Sequence, residues 1–432
     1  MRLEQLAQRA APWYSFLLVV SLAFASSQGE LRGPASWFRW VLLLSAAAVG
    51  FVLWLTGWVR VGWYTWLWLA FAVLACVSAT WSIAPQHSLV HGATIFMLVF
   101  GIFVAFAPAA ATRTSQIAVA RAIAWAVMTV EALSLGYALL EPNRGRQGDA
   151  LHRYKGIFES ANELAIFGIF AVALATGFAV RSGGRGRAGW VVVVAVSFLT
   201  ISLTGTRSGL PIALLGAVTA IAVAGRTRIA AIIAVVGVAS AAIAVAVMIA
   251  TGIGTHFVRQ NTISSLGGRT EAWARAVDAF ERRPIAGYGF ATEQQLLAPY
   301  KRYRLLRLAG RQNEIPAPYR ETTFLHFTGG FVESSYVGPA AQLGILGLLF
   351  LAGEVLVPLV LLVRTRGRAE PAVAGLFVVG LAIGVQESVY WSVGSIAAFP
   401  IWTAAFFIVC AAGGAAGSQQ TDAPLSNSAA AA

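Results

Sequence analysis

Aspartate, lysine and cysteine are scarce in this chain. Its 432 residues include three aspartates (Asp149, Asp278 and Asp422), two lysines (Lys155 and Lys301) and two cysteines. No Asp-x-Asp pair and no grouping of His with carboxylates occurs. A divalent-metal site of the sugar-nucleotide transferase kind is therefore not expected. There is no Gly-Lys-Thr phosphate loop, so ATP-driven transport has no support. Cys76 and Cys410 fall in apolar runs and imply neither a disulfide framework nor a thiolate metal site. No cofactor and no metal are expected. No convincing cleavage site follows the first apolar run, Trp13 to Ala25, which reads as a retained first span. Charged residues make up only 11% of the chain, against about 25% in a soluble domain.

What is present is apolar: 58% of residues are hydrophobic. That composition predicts an all-α integral membrane protein. Twelve candidate spans centre on 12–28, 37–57, 63–80, 89–108, 117–139, 161–180, 188–204, 209–225, 228–251, 335–363, 371–389 and 393–413. The expected organisation is nine transmembrane helices over 1–252, a loop subdomain over 253–334, three helices over 335–414, and a disordered tail over 415–432. Lys and Arg in short loops favour the cytoplasm. With the N-terminus inside, the cytoplasmic loops carry Arg60, Arg113, Arg121 and the segments "RSGGRGR", "GRTR" and "RTRGR". Both termini then fall inside, and the hydrophilic stretch from Thr255 to Glu333 falls outside. The basic excess is spread over membrane loops, and no nucleic-acid partner is expected.

Within the long loop, "RTEAWARAVDAFERRP" reads as an amphipathic helix with Thr270 as N-cap and an apolar face of Trp273, Ala276, Val277 and Phe280. Pro284 ends it, and "PIAGYGF" makes a turn. The following "YKRYRLLRLAGR" suits a helix on the membrane surface. Arg207 lies in a turn between two spans, Arg269 at the start of the loop helix, and Arg275 on it. Guanidinium groups bind phosphate bidentately without a metal, which suits a lipid diphosphate. The alternative for these arginines is that they are solvated or pair with Glu271, Asp278 and Glu281. Glu333 precedes a span by a turn or less, where it either stabilises the helix dipole or acts as a general base. His326 is the second candidate base. Glu131, Glu354 and Glu387 lie in or near spans and are functional candidates on that ground alone.

Several of these residues belong to motifs with a known look. Trp81, Ser82 and Pro85 in "SATWSIAPQHSL" resemble a Trp-Ser-x-x-Pro element. Gly156, Phe158 and Asn162 in "GIFESANELA" resemble a Gly-x-Phe-x-x-x-Asn element. Arg207 in "LTGTRSGL" follows a span. Arg269, Trp273, Pro284, Gly287 and Gly289 fit an Arg-x-x-x-Trp helix ending in Pro-x-x-Gly-x-Gly. "ESSYVGPAAQLGILGL", with Tyr336, is similar to a His-Asn-x-Tyr stretch leading into Leu-Gly-x-x-Gly. In this order, over roughly 78–350, the motifs resemble the bacterial O-antigen ligase and Wzy-type polymerase superfamily. The resemblance implies a GT-C-like glycosyltransferase in the bacterial inner membrane with its active site facing the periplasm. It implies a polyprenyl-diphosphate-linked oligosaccharide donor, a glycan acceptor and no metal. A chain-length regulator and a flippase are the implied partners, beside membrane lipids. Ligases of the superfamily carry His as the proposed base where this chain has Glu333, which favours a polymerase. Ligation to lipid A core or to a protein is the alternative, and a flippase or transporter is the reading from another class. Asn162, Trp273 and Tyr336 are expected to bind substrate or to hold the site together.

Overall fold

The computed structural model describes residues 3–28, 30, 32–147, 153–237, 269–316, 332, 334–365, 367–391, 395 and 397–418. Fourteen main helices account for most of them. They are α1 (Leu3–Ala25), α2 (Arg32–Leu55), α3 (Trp63–Val77), α4 (Pro85–Val99), α5 (Arg113–Leu140), α6 (Ala161–Arg181), α7 (Gly184–Thr204) and α8 (Gly209–Val223). Next come α9 (Thr227–Gly237), α10 (Arg269–Arg282), α11 (Glu293–Leu308), α12 (Val337–Arg364), α13 (Pro371–Gly384) and α14 (Ala398–Ser418). Among the described residues there is no β-strand, only two isolated bridges, Ser27 with Phe158 and Arg146 with Tyr154. Each of the twelve expected spans overlaps a helix, but the helices near 89–108 and 371–389 end earlier, at Val99 and Gly384. Among the described residues, seven helices are long and apolar enough to cross a membrane, and four further apolar helices are shorter. The chain is an all-α, multi-pass membrane protein.

Helix α6 is the hub, 89% buried over its apolar window, whereas its neighbour α7 is 17% buried there. Its start is fixed by a capping box: Ser160 Oγ accepts from Asn162 N, and Glu163 Oε2 accepts from Ser160 N. Helices α5, α7, α8 and α13 pack around it.

Contacts between loops show which helix ends share a face. On one face, Gln28 after α1 donates to Ile157 O before α6 (2.8 Å), and Ile83 between α3 and α4 donates to Tyr288 O after α10 (3.0 Å). The α7–α8 turn and the end of α13 join this face through the side chains described below. On the opposite face, Glu370 before α13 pairs with Arg181 at the end of α6 (3.1 Å) and Arg113 at the start of α5 (3.7 Å). Burial pushes the Glu370 carboxyl up, and the two arginines pull it back. The predicted loop helices therefore gather at the face away from the arginine-rich short loops.

Helix α10 forms as expected, with two differences. It already includes Arg269, so Thr270 is not its N-cap. Its buried face is Ala272, Ala276 and Ala279, with Trp273 partly covered, while Val277 is exposed. The small residues face α12 because alanines let the two backbones approach closely; bulky Val277 is turned outward. Cys76 and Cys410 are both free. Helix α14 runs on to Ser418, into the first residues of the expected disordered tail over 415–432; the rest of that tail lies outside the described residues.

Candidate active site

The site is assembled from the turn after α10. Gly287 and Gly289 both have positive φ (62° and 103°), a region open to glycine. They let the turn's backbone lie directly against α12: Tyr288 N donates to Ala341 O (3.2 Å) and Gly289 N to Gln342 O (2.8 Å). Helix α12 is itself broken at Gly344 (φ 62°, ψ −147°), and the break exposes Ile345 N to Pro284 O at 2.7 Å. The Pro-x-x-Gly-x-Gly turn and the Leu-Gly-x-x-Gly element are thus two halves of one joint. The Trp-Ser-x-x-Pro element clamps the turn from the other side. Trp81 Nε1 donates to Ala286 O (2.9 Å), Phe290 N to Ser78 Oγ (3.0 Å), and Ser88 Oγ to Phe290 O (2.7 Å).

This joint holds α10 with Arg269 at its first turn. Arg269 Nε donates to Gln386 O (3.0 Å), and its Nη2 donates to Glu387 Oε1 (3.0 Å). The same Glu387 oxygen accepts from Asn162 Nδ2 at 3.3 Å. Thr206 Oγ1 donates to Asn162 Oδ1 at 3.3 Å, and Ser208 Oγ donates to Gln386 Oε1 at 2.6 Å. One polar string therefore links the start of α6, the α7–α8 turn, the end of α13 and the start of α10. Arg207 sits between Thr206 and Ser208 and is exposed. The side chains of Arg269 and Glu387 are 19% and 30% exposed, so both remain within reach of a ligand.

Behind the string, structural side chains fix the backbone. Ser335 Oγ donates to Glu387 O (2.9 Å) and accepts from Val389 N (2.7 Å) and Tyr390 N (3.0 Å). Tyr336 Oη donates to Leu381 O at 2.7 Å, tying α12 to α13. Trp273 Nε1 donates to Val332 O (3.0 Å), and Val332 N donates to Glu293 Oε2 (3.0 Å). Glu293 also accepts from Gln342 Nε2 (2.6 Å), and burial pushes its carboxyl up. Ser334 Oγ accepts from Tyr336 N (3.3 Å) and Val337 N (3.4 Å), so the first amides of α12 find a partner in Ser334.

Sequence reasoning named Asn162, Arg207 and Arg269 separately, and the structure brings them to one place. Arg275 is engaged by Asp278 on its own helix at 2.7 Å, the alternative foreseen for the loop arginines. Trp273 and Tyr336 act as struts. Glu333 and His326 lie outside the described residues, although Val332 and Ser334 on either side of Glu333 are both buried and bonded. Of the three acids flagged near spans, Glu131 accepts from Ser197 Oγ (2.8 Å) and Glu354 from Trp391 Nε1 (2.7 Å) inside the bundle, and only Glu387 joins the site. Thr206, Gln386 and Ser335 went unnoticed in the sequence. The position of Thr206 beside Arg207, in a turn between two spans, is the one local signal that pointed to it. No group of three or more His, Cys, Asp or Glu suited to a metal occurs among the described residues.

Two comparisons with known proteins bear on this arrangement. The family described as O-Antigen ligase (Wzy_C) matches residues 192–352, from within α7 to within α12, a segment that contains Arg207, Arg269, Trp273 and the joint. The "Exopolysaccharide production protein ExoQ" of Rhizobium meliloti (strain 1021) is 27% identical over 238 residues, 52% of this chain and 52% of that protein. The similarity thus spans about half the length of that relative. The resemblance carried by the motifs, to the O-antigen ligase and Wzy-type polymerase superfamily, is therefore shown by both comparisons.

Proposed function

We propose that the protein is a surface-polysaccharide polymerase of the bacterial inner membrane. It crosses the membrane twelve times in a GT-C-like arrangement, with α10, α11 and the polar string on the periplasmic side. The donor is a glycan on polyprenyl diphosphate, and the acceptor is a sugar hydroxyl of a second lipid-linked glycan. The acceptor oxygen attacks the anomeric carbon, the bond from that carbon to the diphosphate oxygen breaks with inversion, and polyprenyl diphosphate leaves with the electron pair. Glu333 takes the acceptor's proton. Arg207 and Arg269, with Arg275 at the periphery, bind the diphosphate and neutralise the charge that grows on it, without a metal. A chain-length regulator and a flippase are the expected working partners.

The observation that carries this reading is the convergence of Arg269, Asn162 and the Thr206–Arg207 turn, from three separate elements, on one helix-end face. Ligation to lipid A core or protein is the second reading, favoured by the description of the matching family as O-antigen ligase. Acceptor choice separates the two: a polymerase lengthens lipid-linked repeats, whereas a ligase consumes them only when its own acceptor is added.

The proton step is tested with Glu333→Gln. The expected result is a loss of about 10²–10⁴-fold in turnover with donor binding and Tm retained. Near-normal turnover would move the base to His326.

A further inference from the structure

We propose that Glu387 is the resident counter-ion of the diphosphate site. It occupies Arg269 while the site is empty and yields it to the donor's phosphate. The inference rests on the proposed reading of Arg269 as a diphosphate ligand. Three features carry it. First, two donors from different elements, Arg269 Nη2 (3.0 Å) and Asn162 Nδ2 (3.3 Å), converge on one Glu387 oxygen. A phosphate oxygen asks for the same set, so the carboxylate oxygen stands where an anionic ligand oxygen would be held. Second, the arginine is anchored independently of this carboxylate. Its Nε is held by Gln386 O at 3.0 Å, so the guanidinium keeps its place when Glu387 leaves. Third, the Glu387 backbone is fixed by Ser335 Oγ at 2.9 Å while its side chain is 30% exposed. Only side-chain torsions need to change, and water is available to the displaced carboxylate.

An empty site with two or more arginines is costly to keep uncompensated, and a built-in carboxylate holds Arg269 and Asn162 in order between turnovers. On product formation the same carboxylate competes with the departing diphosphate and speeds its release. Glu387 is thus a positioning residue that acts through Arg269, not a group that touches the reacting carbon.

The test uses the full chain in lipid nanodiscs with geranylgeranyl diphosphate as probe and geranylgeraniol as its uncharged control. Glu387→Gln keeps an oxygen for Asn162 and removes the charge. It is expected to bind the diphosphate at least about three-fold more tightly, the scale of one partly solvated ion pair, and to lower KM and kcat together as product release slows. The tightening is expected to vanish in an Arg269→Ala background, because the effect passes through that arginine. Unchanged or weaker binding by Glu387→Gln at wild-type Tm, or tightening that persists without Arg269, overturns the proposal. Glu387→Ala, which also removes the charge, gives the same reading if the glutamine variant does not fold. Should the wild-type protein bind the diphosphate no better than the alcohol, the diphosphate reading fails and this inference with it. Diphosphate binding that Glu387→Gln leaves unaltered removes this inference alone.

Discussion

Replacing Gly287 by alanine tests the joint on which the site is built. Gly287 has φ 62°, and a Cβ there would lie 2.4 Å from Gln342 O, 2.5 Å from Gln342 C and 2.6 Å from Leu343 N. All three are backbone atoms of α12, so no rotamer change relieves the overlap. The left-handed conformation alone costs alanine about 1–2 kcal/mol. Forcing a methyl into packed backbone adds about 1–3 kcal/mol. The sum is about 2–5 kcal/mol, and it falls on the contact that carries Arg269. Gly310 supplies the control: its φ is 73°, but a Cβ there would meet nothing within 4 Å. Gly310→Ala therefore carries the conformational cost only, about 1–2 kcal/mol. Thermal unfolding in detergent and glycan lengthening in liposomes are measured on both variants. Gly287→Ala is expected to lose more Tm than Gly310→Ala and to lose activity, while Gly310→Ala stays active. Equal Tm losses, or full activity in Gly287→Ala, would refute the reasoning that this turn is seated on α12.

Two further predictions follow from the struts. Trp273→Phe removes the donor to the buried Val332 O and is expected to cost about 1–3 kcal/mol, read as a lower Tm, because the carbonyl loses its partner. Glu293 sets a pH dependence. Its folded pKa is raised above the ordinary value of about 4.3, so the folded state holds the proton more tightly than the unfolded state. The resulting penalty is absent below the ordinary value, grows as pH rises toward the folded pKa, and is complete above it. The wild-type protein is thus expected to lose Tm over that window relative to Glu293→Gln, whose stability is offset by a constant amount; parallel Tm–pH curves for the two would contradict this.

The helices were legible because an apolar run of about 20 residues has few alternatives in a chain this poor in charge. The loop helix was legible from its periodicity and Pro284, but its buried face only in part: Ala276 and Trp273 were expected there, Ala272 and Ala279 were not, and Val277 is exposed. Periodicity reports where large apolar residues recur, while the contact with α12 is made by Ala272, Ala276 and Ala279, which carry little signal. Arg207, Asn162 and Arg269 stood out as polar residues at span ends and in motifs, yet their meeting depends on contacts 44 to 225 residues apart in the chain, which no local pattern encodes. Glu387 looked like Glu131 and Glu354 in sequence. Only the packing separates a carboxylate facing Ser197 or Trp391 from one facing Arg269. The break at Gly344 was hidden for a similar reason: glycine is common in membrane helices, and its φ of 62° is imposed by the turn seated against it.

The central claim is that Arg207 and Arg269 serve transfer from a lipid diphosphate. The most direct measurement is repeat lengthening in liposomes that hold purified protein and polyprenyl-diphosphate-linked oligosaccharide, with no nucleotide and no ion gradient. The wild-type protein is expected to lengthen the glycan. Arg207→Ala and Arg269→Ala, each inserted at normal level, are expected to lose about 30- to 900-fold in turnover, equivalent to about 2–4 kcal/mol of transition-state stabilisation. Wild-type output from both variants, or lengthening that requires a gradient, would contradict the account.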